Sequence, residues 1–313
     1  FRSYLLFFEL VSVEDVMKRS AWWLLIPLVL VLAGVVWWLV KPEPVTVHFN
    51  KTEPIAPYQW KPKEGTLRVA MISVLNKKNE EPYQKIIVDE IGKKLGRPVM
   101  LLRRNSYAEV NDLLASGDAD IAFMSTGAYM VYGRKEGLQL LAMQERDGRD
   151  YYYGYVIVPA SSPVQSVAEL SGKKFLYVDP LSYSGYLGMK DYLKQHGLDE
   201  NMFESVHFTY GHEASIRAIS KGLADGAVVD SMVYDLLKET EPAVINQVRI
   251  IGTTAPVGTG PIVASLSVSP KDLATLRQVA FHLHENPTVE DAMQHLMIDR
   301  FVEPRAKLYG KGL

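Results

Sequence analysis

Phe175-Leu-Tyr-Val-Asp-Pro-Leu-Ser-Tyr-Ser-Gly-Tyr186 decides how the rest of this chain is read, because its residue types run strand, tight loop, helix start. Four β-favouring residues lead in, and Asp179-Pro180 breaks the strand. Ser182 and Ser184 set hydroxyls where a helix N-cap sits, the run Tyr186 to His196 predicts the helix, and Gly197 closes it. A helix start with free amides, two hydroxyls and a glycine that lets the backbone come close suits an oxyanion. Taken alone, the loop reads first as an ordinary serine-capped connection.

Working outward, the same order recurs on both sides. Residues 171–230 form a β-α-β-α-β run, with strands at Phe175–Val178, Ser205–Phe208 and Gly226–Val229 and helices over 186–196 and 212–221. Polar groups stand at each handover, in Thr209-Tyr-Gly-His212-Glu213-Ala-Ser215 and Asp230-Ser231. Upstream, a strand at Leu67–Ser73, a helix over Pro82–Leu95, a strand at Val99–Leu102, a helix over Tyr107–Ser116 and a strand at Ile121–Met124 lead into Ser125-Thr126-Gly127-Ala-Tyr129. Such alternation predicts an α/β fold with parallel sheets, whose ligands bind at the carboxyl ends of the strands. Tyr151–Val158 reads as one long strand passing between lobes. Val248–Ile251, a Gly- and Pro-rich passage over 253–261 and a strand at Ile262–Val268 bring the chain back, and helices near Lys271–Glu285 and Val289–Arg300 close it. The predicted organisation is a first lobe from 66–152, a second from 153–252, and a return to the first over 253–313.

Ala21–Val40 is twenty residues without a charge, bracketed by Trp22-Trp23 and Trp37-Trp38 and preceded by Lys18-Arg19. Length, aromatic ends and flanking cations predict a transmembrane helix with an inside N-terminus. A cleaved signal peptide is the alternative, but its apolar core is shorter and ends at a small-residue site. The first methionine is Met17, which is read as the start, with 1–16 left outside the fold. The proline-spaced stretch 41–65 reads as an extended linker holding the folded part off the membrane.

With 22% charged residues and a formal net charge of −2, the chain lacks the basic surplus of a nucleic-acid binder. It has no cysteine, which excludes disulfides, thiolate metal sites and a lipidated N-terminal cysteine. Ser184, His212 and Asp230 supply the residue types of a hydrolase triad, but no Gly-x-Ser-x-Gly elbow supports one. His212-Glu213 begins like a zinc-protease helix and then has Ile216 where the second histidine belongs. His282 and His284, two apart, point to different helix faces. The tyrosines at 151, 152, 153 and 155 read equally as a ligand-stacking wall or as sheet packing, and Tyr153 is carried among the ligand-binding candidates. No nucleotide motif follows any strand, and no metal or cofactor is implied. What the residues support is capture of a small anion by hydroxyls and amides, with Asp230 or Glu213 accepting a proton from P–OH or facing an amine and repelling fully ionised anions.

Five ordered segments carry a resemblance over about residues 66–285. They are Pro82-Tyr-Gln84, Gly117-Asp-Ala-Asp-Ile-Ala-Phe123 with Ser125-Thr-Gly-Ala-Tyr129, Asp179-Pro-Leu-Ser-Tyr-Ser-Gly-Tyr186, Gly211-His-Glu-Ala-Ser215 and Gly222–Ser231. Together they resemble the periplasmic phosphate, phosphite and phosphonate-binding components of ABC transporters, which have the two-lobed type II binding-protein fold. The resemblance implies that Ser182 to Ser184 bind the ligand oxygens, that Ser125 and Thr126 help from the other lobe, and that His212 and Asp230 contact the ligand. It implies delivery to an ABC permease and ATPase rather than catalysis. Tyr183 departs from the family's Ser-Thr-Ser-Gly, where its ring would shrink the pocket or its phenol replace the lost hydroxyl. The membrane helix is a second departure. A sensor or accessory domain signalling through that helix is the alternative reading, and an extracytoplasmic enzyme ranks last.

Overall fold

The computed structural model describes residues 64–72, 80–133 and 135–310, all within one compact unit spanning Lys61–Leu313. The tail, the apolar run 21–40 and the linker up to residue 63 lie outside the described residues. Among the described residues no helix is long and apolar enough to cross a membrane.

Strands β1 (Leu67–Ile72), β2 (Val99–Arg104), β3 (Ile121–Phe123) and β4 (Leu138–Glu145) begin one sheet. The chain then leaves through β5 (Tyr151–Tyr152) and builds a second sheet from β6 (Gly154–Pro159), β7 (Lys174–Tyr177), β8 (Ser205–Phe208), β9 (Gly226–Asp230) and β10 (Val248–Thr253). It returns through β11 (Val257–Gly258) and completes the first sheet with β12 (Pro261–Ser265) and β13 (Arg300–Val302). The first sheet runs β13-β4-β12-β3-β1-β2 and the second β10-β6-β9-β7-β8, while β5 and β11 pair with each other. Each large sheet with its helices is a lobe, and the β5–β11 ladder is the crossing.

Both sheets are mixed rather than purely parallel. The β-α-β runs give the parallel pairs β1–β2, β1–β3, β7–β8 and β7–β9, whereas strands that follow or precede a crossing enter antiparallel, as in β12–β3 and β6–β9. The predicted single strand over 151–158 is two, because its residues 151–152 pair with β11 and its residues from 154 pair with β9 and β10. Three strands, β4, β11 and β13, answer to no predicted element. β4 lies between β12 and β13, and its run Leu-Gln-Leu-Leu-Ala-Met-Gln-Glu lacks the alternation that marks a half-buried strand.

Alternation along the other strands divides each core. Val69, Met71, Ile121 and Phe123 pack with the helices Glu81–Leu95, Pro270–Phe281 and Pro287–His295 on one face. Ala70, Ala122, Met124 and Tyr107 face the other way. In the second sheet Ile157, Ala227 and Val229 separate likewise from Val156, Val158 and Val228. Helix Tyr107–Ala115 is set by a full capping box, in which the Ser106 hydroxyl accepts from Glu109 N and the Glu109 carboxylate accepts from Ser106 N at 3.0 Å. Ser106→Ala is expected to lower the stability of the unit by about 1 kcal/mol, measured as a lower urea midpoint with an unchanged denaturant slope.

Candidate functional site

The carboxyl ends of both sheets face one another, and a cavity of about 50 Å³ lies between them. The first lobe contributes Tyr107, Ser125, Thr126, Gln144, Arg146 and Thr259, the second Ser182, Ser184, His212, Asp230 and Met232, and the crossing Tyr152. One water-sized sphere needs about 10–15 Å³ of such space. The room therefore suits a ligand of a few heavy atoms.

The opening stretch folds more tightly than its sequence suggests. Its helix starts at Tyr183, not Tyr186, with a π turn over Tyr183–Leu187 that continues into the helix Gly188–Gln195. Ser182 is the N-cap and accepts from Gly185 N at 3.0 Å. Leu187 N reaches Ser182 O at 2.9 Å, the five-residue closure of the wide turn. Gly185 is required here, because a Cβ would stand 2.5 Å from the Val178 Cβ. This places Ser184 within the turn, buried, with its hydroxyl donating to Asp230 Oδ2 at 3.3 Å.

Asp230 caps the helix Ser231–Thr240, its Oδ1 accepting from Met232 N at 2.8 Å and Val233 N at 3.3 Å. Its own N–H donates to His212 Nδ1 at 3.0 Å. That bond fixes the tautomer, since a nitrogen that accepts carries no proton, and His212 keeps its hydrogen on Nε2. Burial pushes the imidazole below the ordinary histidine range, against the pull of the Asp230 carboxylate. His212 is thus a neutral donor. Tyr107 and Tyr152 are held above the usual phenol range, Tyr107 by burial and then the Asp179 and Asp230 charges, Tyr152 by burial and then Asp230. Both remain O–H donors. Arg146 donates through Nε to Gln144 Oε1 at 2.9 Å, and burial works against its charge while Asp230 supports it. The cavity therefore offers one cation, one carboxylate and a set of neutral hydroxyl and imidazole donors.

Of the sequence candidates, Ser125, Thr126, Ser182, Ser184, His212 and Asp230 line this cavity. Thr126 spends its proton on Gly258 O at 2.8 Å, so its hydroxyl is left to accept. Tyr153 and Tyr183 are not brought in. Tyr153 stacks with Tyr155 at 6.5 Å and meets Tyr151 edge-on at 5.8 Å, because the alternation of the crossing strand sends Tyr152 to the cavity instead. The Tyr183 ring lies in an apolar cluster with Tyr152, Met232 and Val257, where it backs the cavity wall and supplies no phenol. Glu213 also stays out, its carboxylate lying 3.7 Å from Arg217 on its own helix. The sequence reading missed Arg146, Gln144, Tyr107 and Thr259, and weighed Tyr152 only as one of four tyrosines in a stacking wall. Tyr107 had a signal, the Ser106-x-x-Glu109 capping box after a strand. Gln144 stands on β4 and Arg146 directly follows it, and β4 gave none.

A family model described as the periplasmic substrate-binding protein of phosphonate ABC transporters matches residues 69–309. The chain belongs to this family. Phosphonate-binding proteins of this kind bind substrate for ABC transporters outside the cytoplasm and are not enzymes. A phosphonates-binding periplasmic protein of Escherichia coli is 25% identical over 235 residues, covering 72% of this chain and 69% of that one. A phosphate-import protein of Mycolicibacterium smegmatis is 27% identical, over 54% of this chain and 56% of its own length. Among solved structures, a Prochlorococcus marinus protein in complex with methylphosphonate aligns with a TM-score of 0.70 at 17% identity, over 78% of this chain and 94% of that one. A binding component of a phosphonate transporter from Pseudomonas aeruginosa gives 0.69 at 20% identity, over 78% and 83%. The fold of this phosphonate-binding-family chain is accordingly the mixed α/β type II architecture.

In this family member the lobes touch through glycine. A Cβ on Gly127 of the first lobe would stand 2.4 Å from Leu181 O and 2.5 Å from Tyr183 N of the second, both backbone atoms that cannot step aside. Gly127→Ala is expected to hold the lobes apart, seen as a larger radius of gyration in small-angle scattering. An unchanged value in the folded variant would refute the contact. His212 makes a second prediction. Its pKa in the folded chain lies below the ordinary 6.5, so the unfolded chain takes up the proton first and acid favours unfolding. The stability advantage of the wild type over His212→Gln is expected to be full above pH 6.5 and to shrink as pH falls below it, measured by urea unfolding at several pH values.

Proposed function

We propose that this protein captures a small phosphorus oxyanion, a phosphonate, phosphite or phosphate, between its lobes and delivers it to an ABC permease and its ATPase. The apolar run 21–40 would anchor it in the membrane, with the folded part in the periplasm or outside the cell. The observation that carries the ligand class is the pairing of Asp230 with hydroxyl and imidazole donors around one arginine. A carboxylate in an oxyanion site needs a proton to accept, and P–OH supplies one. Sulfate has none at neutral pH. The names of the relatives support the class, since one binds phosphonates, one imports phosphate and one is seen with methylphosphonate.

In this reading Ser182 and His212 Nε2–H donate to ligand oxygens from the second lobe, Ser125 and Arg146 donate from the first, where Thr126 can only accept, and Asp230 accepts the P–OH proton as the Ser184 hydroxyl turns from it to the ligand. Titration of the ligand-stripped full chain by calorimetry against phosphate, phosphite, methylphosphonate, 2-aminoethylphosphonate and sulfate is expected to give heat with at least one phosphorus anion and none with sulfate. Ser184→Ala is expected to weaken that binding by about tenfold or more, since a hydrogen bond to a charged group is worth roughly 1.5–3 kcal/mol. Asp230→Asn, an amide that can donate, is expected to admit sulfate. Absence of heat with every phosphorus anion would sink the reading.

A further inference from the structure

A second chamber opens beside the oxyanion cavity. Its volume is about 140 Å³, and Tyr107 and His212 line both spaces. The first lobe gives it Arg103, Arg104 and Asn105, and the second gives Asp179 and Tyr210. The two arginines differ. Arg103 is engaged by Gln84 Oε1 and Glu81 Oε2, each at 2.9 Å. Arg104 donates from one nitrogen to the Arg103 carbonyl at 2.7 Å and, among the described residues, has no carboxylate within ion-pair distance. Across the cleft, Asp179 is buried, accepts one backbone N–H from Leu181 at 2.7 Å and likewise pairs with no cation among the described residues.

A buried carboxylate without a cation is costly, and the facing wall of this chamber carries Arg104, a half-buried arginine with Glu109 in its field, so a ligand bearing both charges would complement the two walls. Tyr210 adds an independent sign. It is an aromatic residue with φ +56, a left-handed conformation that bulky side chains rarely adopt, and it is 64% exposed at the rim. Backbone strain of this kind clusters at active sites, ligand clamps and switch regions.

We propose that the outer chamber is a subsite for a zwitterionic arm on the phosphonate, an amino-acid-like group whose carboxylate meets Arg104, whose ammonium meets Asp179, and over which the Tyr210 ring closes. This rests on the reading of the inner cavity as the oxyanion site. The arm leaves that cavity between Tyr107 and His212. Its opposite charges bridge the two lobes, so the full set of contacts exists only when they are closed.

Calorimetry on the full chain tests this with four ligands: methylphosphonate, 2-aminoethylphosphonate, 3-phosphonopropionate and 2-amino-3-phosphonopropionate. The last, carrying both charges, is expected to bind at least tenfold tighter than methylphosphonate. Arg104→Gln and the isosteric Asp179→Asn should each remove most of that gain and leave methylphosphonate affinity within about twofold. Tyr210→Gly should raise the melting temperature by relieving the left-handed backbone while weakening the doubly charged ligand severalfold. Equal affinity for methylphosphonate and the doubly charged ligand would overturn the subsite and leave the oxyanion reading standing. A uniform loss for all four in Arg104→Gln would also overturn it, making the arginine an electrostatic guide. No binding of any of them, or of phosphate and phosphite, would overturn both readings.

Discussion

Asp230 is the group on which the rest of the site depends. One oxygen is occupied by the first amides of a helix, the other receives the Ser184 hydroxyl, and the residue's own N–H fixes the protonated nitrogen of His212. Two neighbouring side chains and a helix start are therefore oriented by a single residue at the end of β9. Because its hydrogen bonds come from elements of the second lobe alone, half of the cavity is arranged before any ligand arrives. The other half, with Arg146 and Tyr107, stands on the first lobe and joins it by closure.

Closure itself is a matter of backbone meeting backbone. Gly127 brings the short helix Thr126–Met130 directly onto the chain at 181–183, and within the second lobe Gly154 lets β6 pack equally close, with Ser184 O 2.7 Å from where a Cβ would be. A side chain at Gly127 would act as a spacer between the lobes. The cavity stays small because nothing separates the lobes at its edges, and small size is itself a filter on what can be enclosed.

The strand–hydroxyl–helix order was legible in the sequence because each step has its own local chemistry: apolar run, breaker, cap. It marked Ser125, Ser182, Ser184, His212 and Asp230 as polar groups at strand-to-helix handovers, and the family resemblance gave them a common ligand. What could not be read was anything requiring register. Choosing Tyr152 over Tyr153 needs the pairing of Val257 with Tyr152, a contact across more than one hundred residues. Arg146 needed β4, whose two-sided burial erases the period-two pattern. The resemblance was right about the family, and the ring that replaces the family's threonine at Tyr183 packs behind the cavity wall, against Tyr152 and Met232.

The route of the chain has one further consequence. The second sheet is drawn from one continuous stretch, 154–253, whereas the first takes strands from 67–145, 261–265 and 300–302. Tyr309 then donates to Thr259 O at 2.8 Å and packs edge-on against Tyr129. In a chain that emerges from its N-terminus, the second lobe has every strand it needs while the first still lacks two. Long-range pairing of this kind is slow. The half of the cavity organised by Asp230 is therefore ready early, and Thr259 on the other wall is braced only when the last residues arrive.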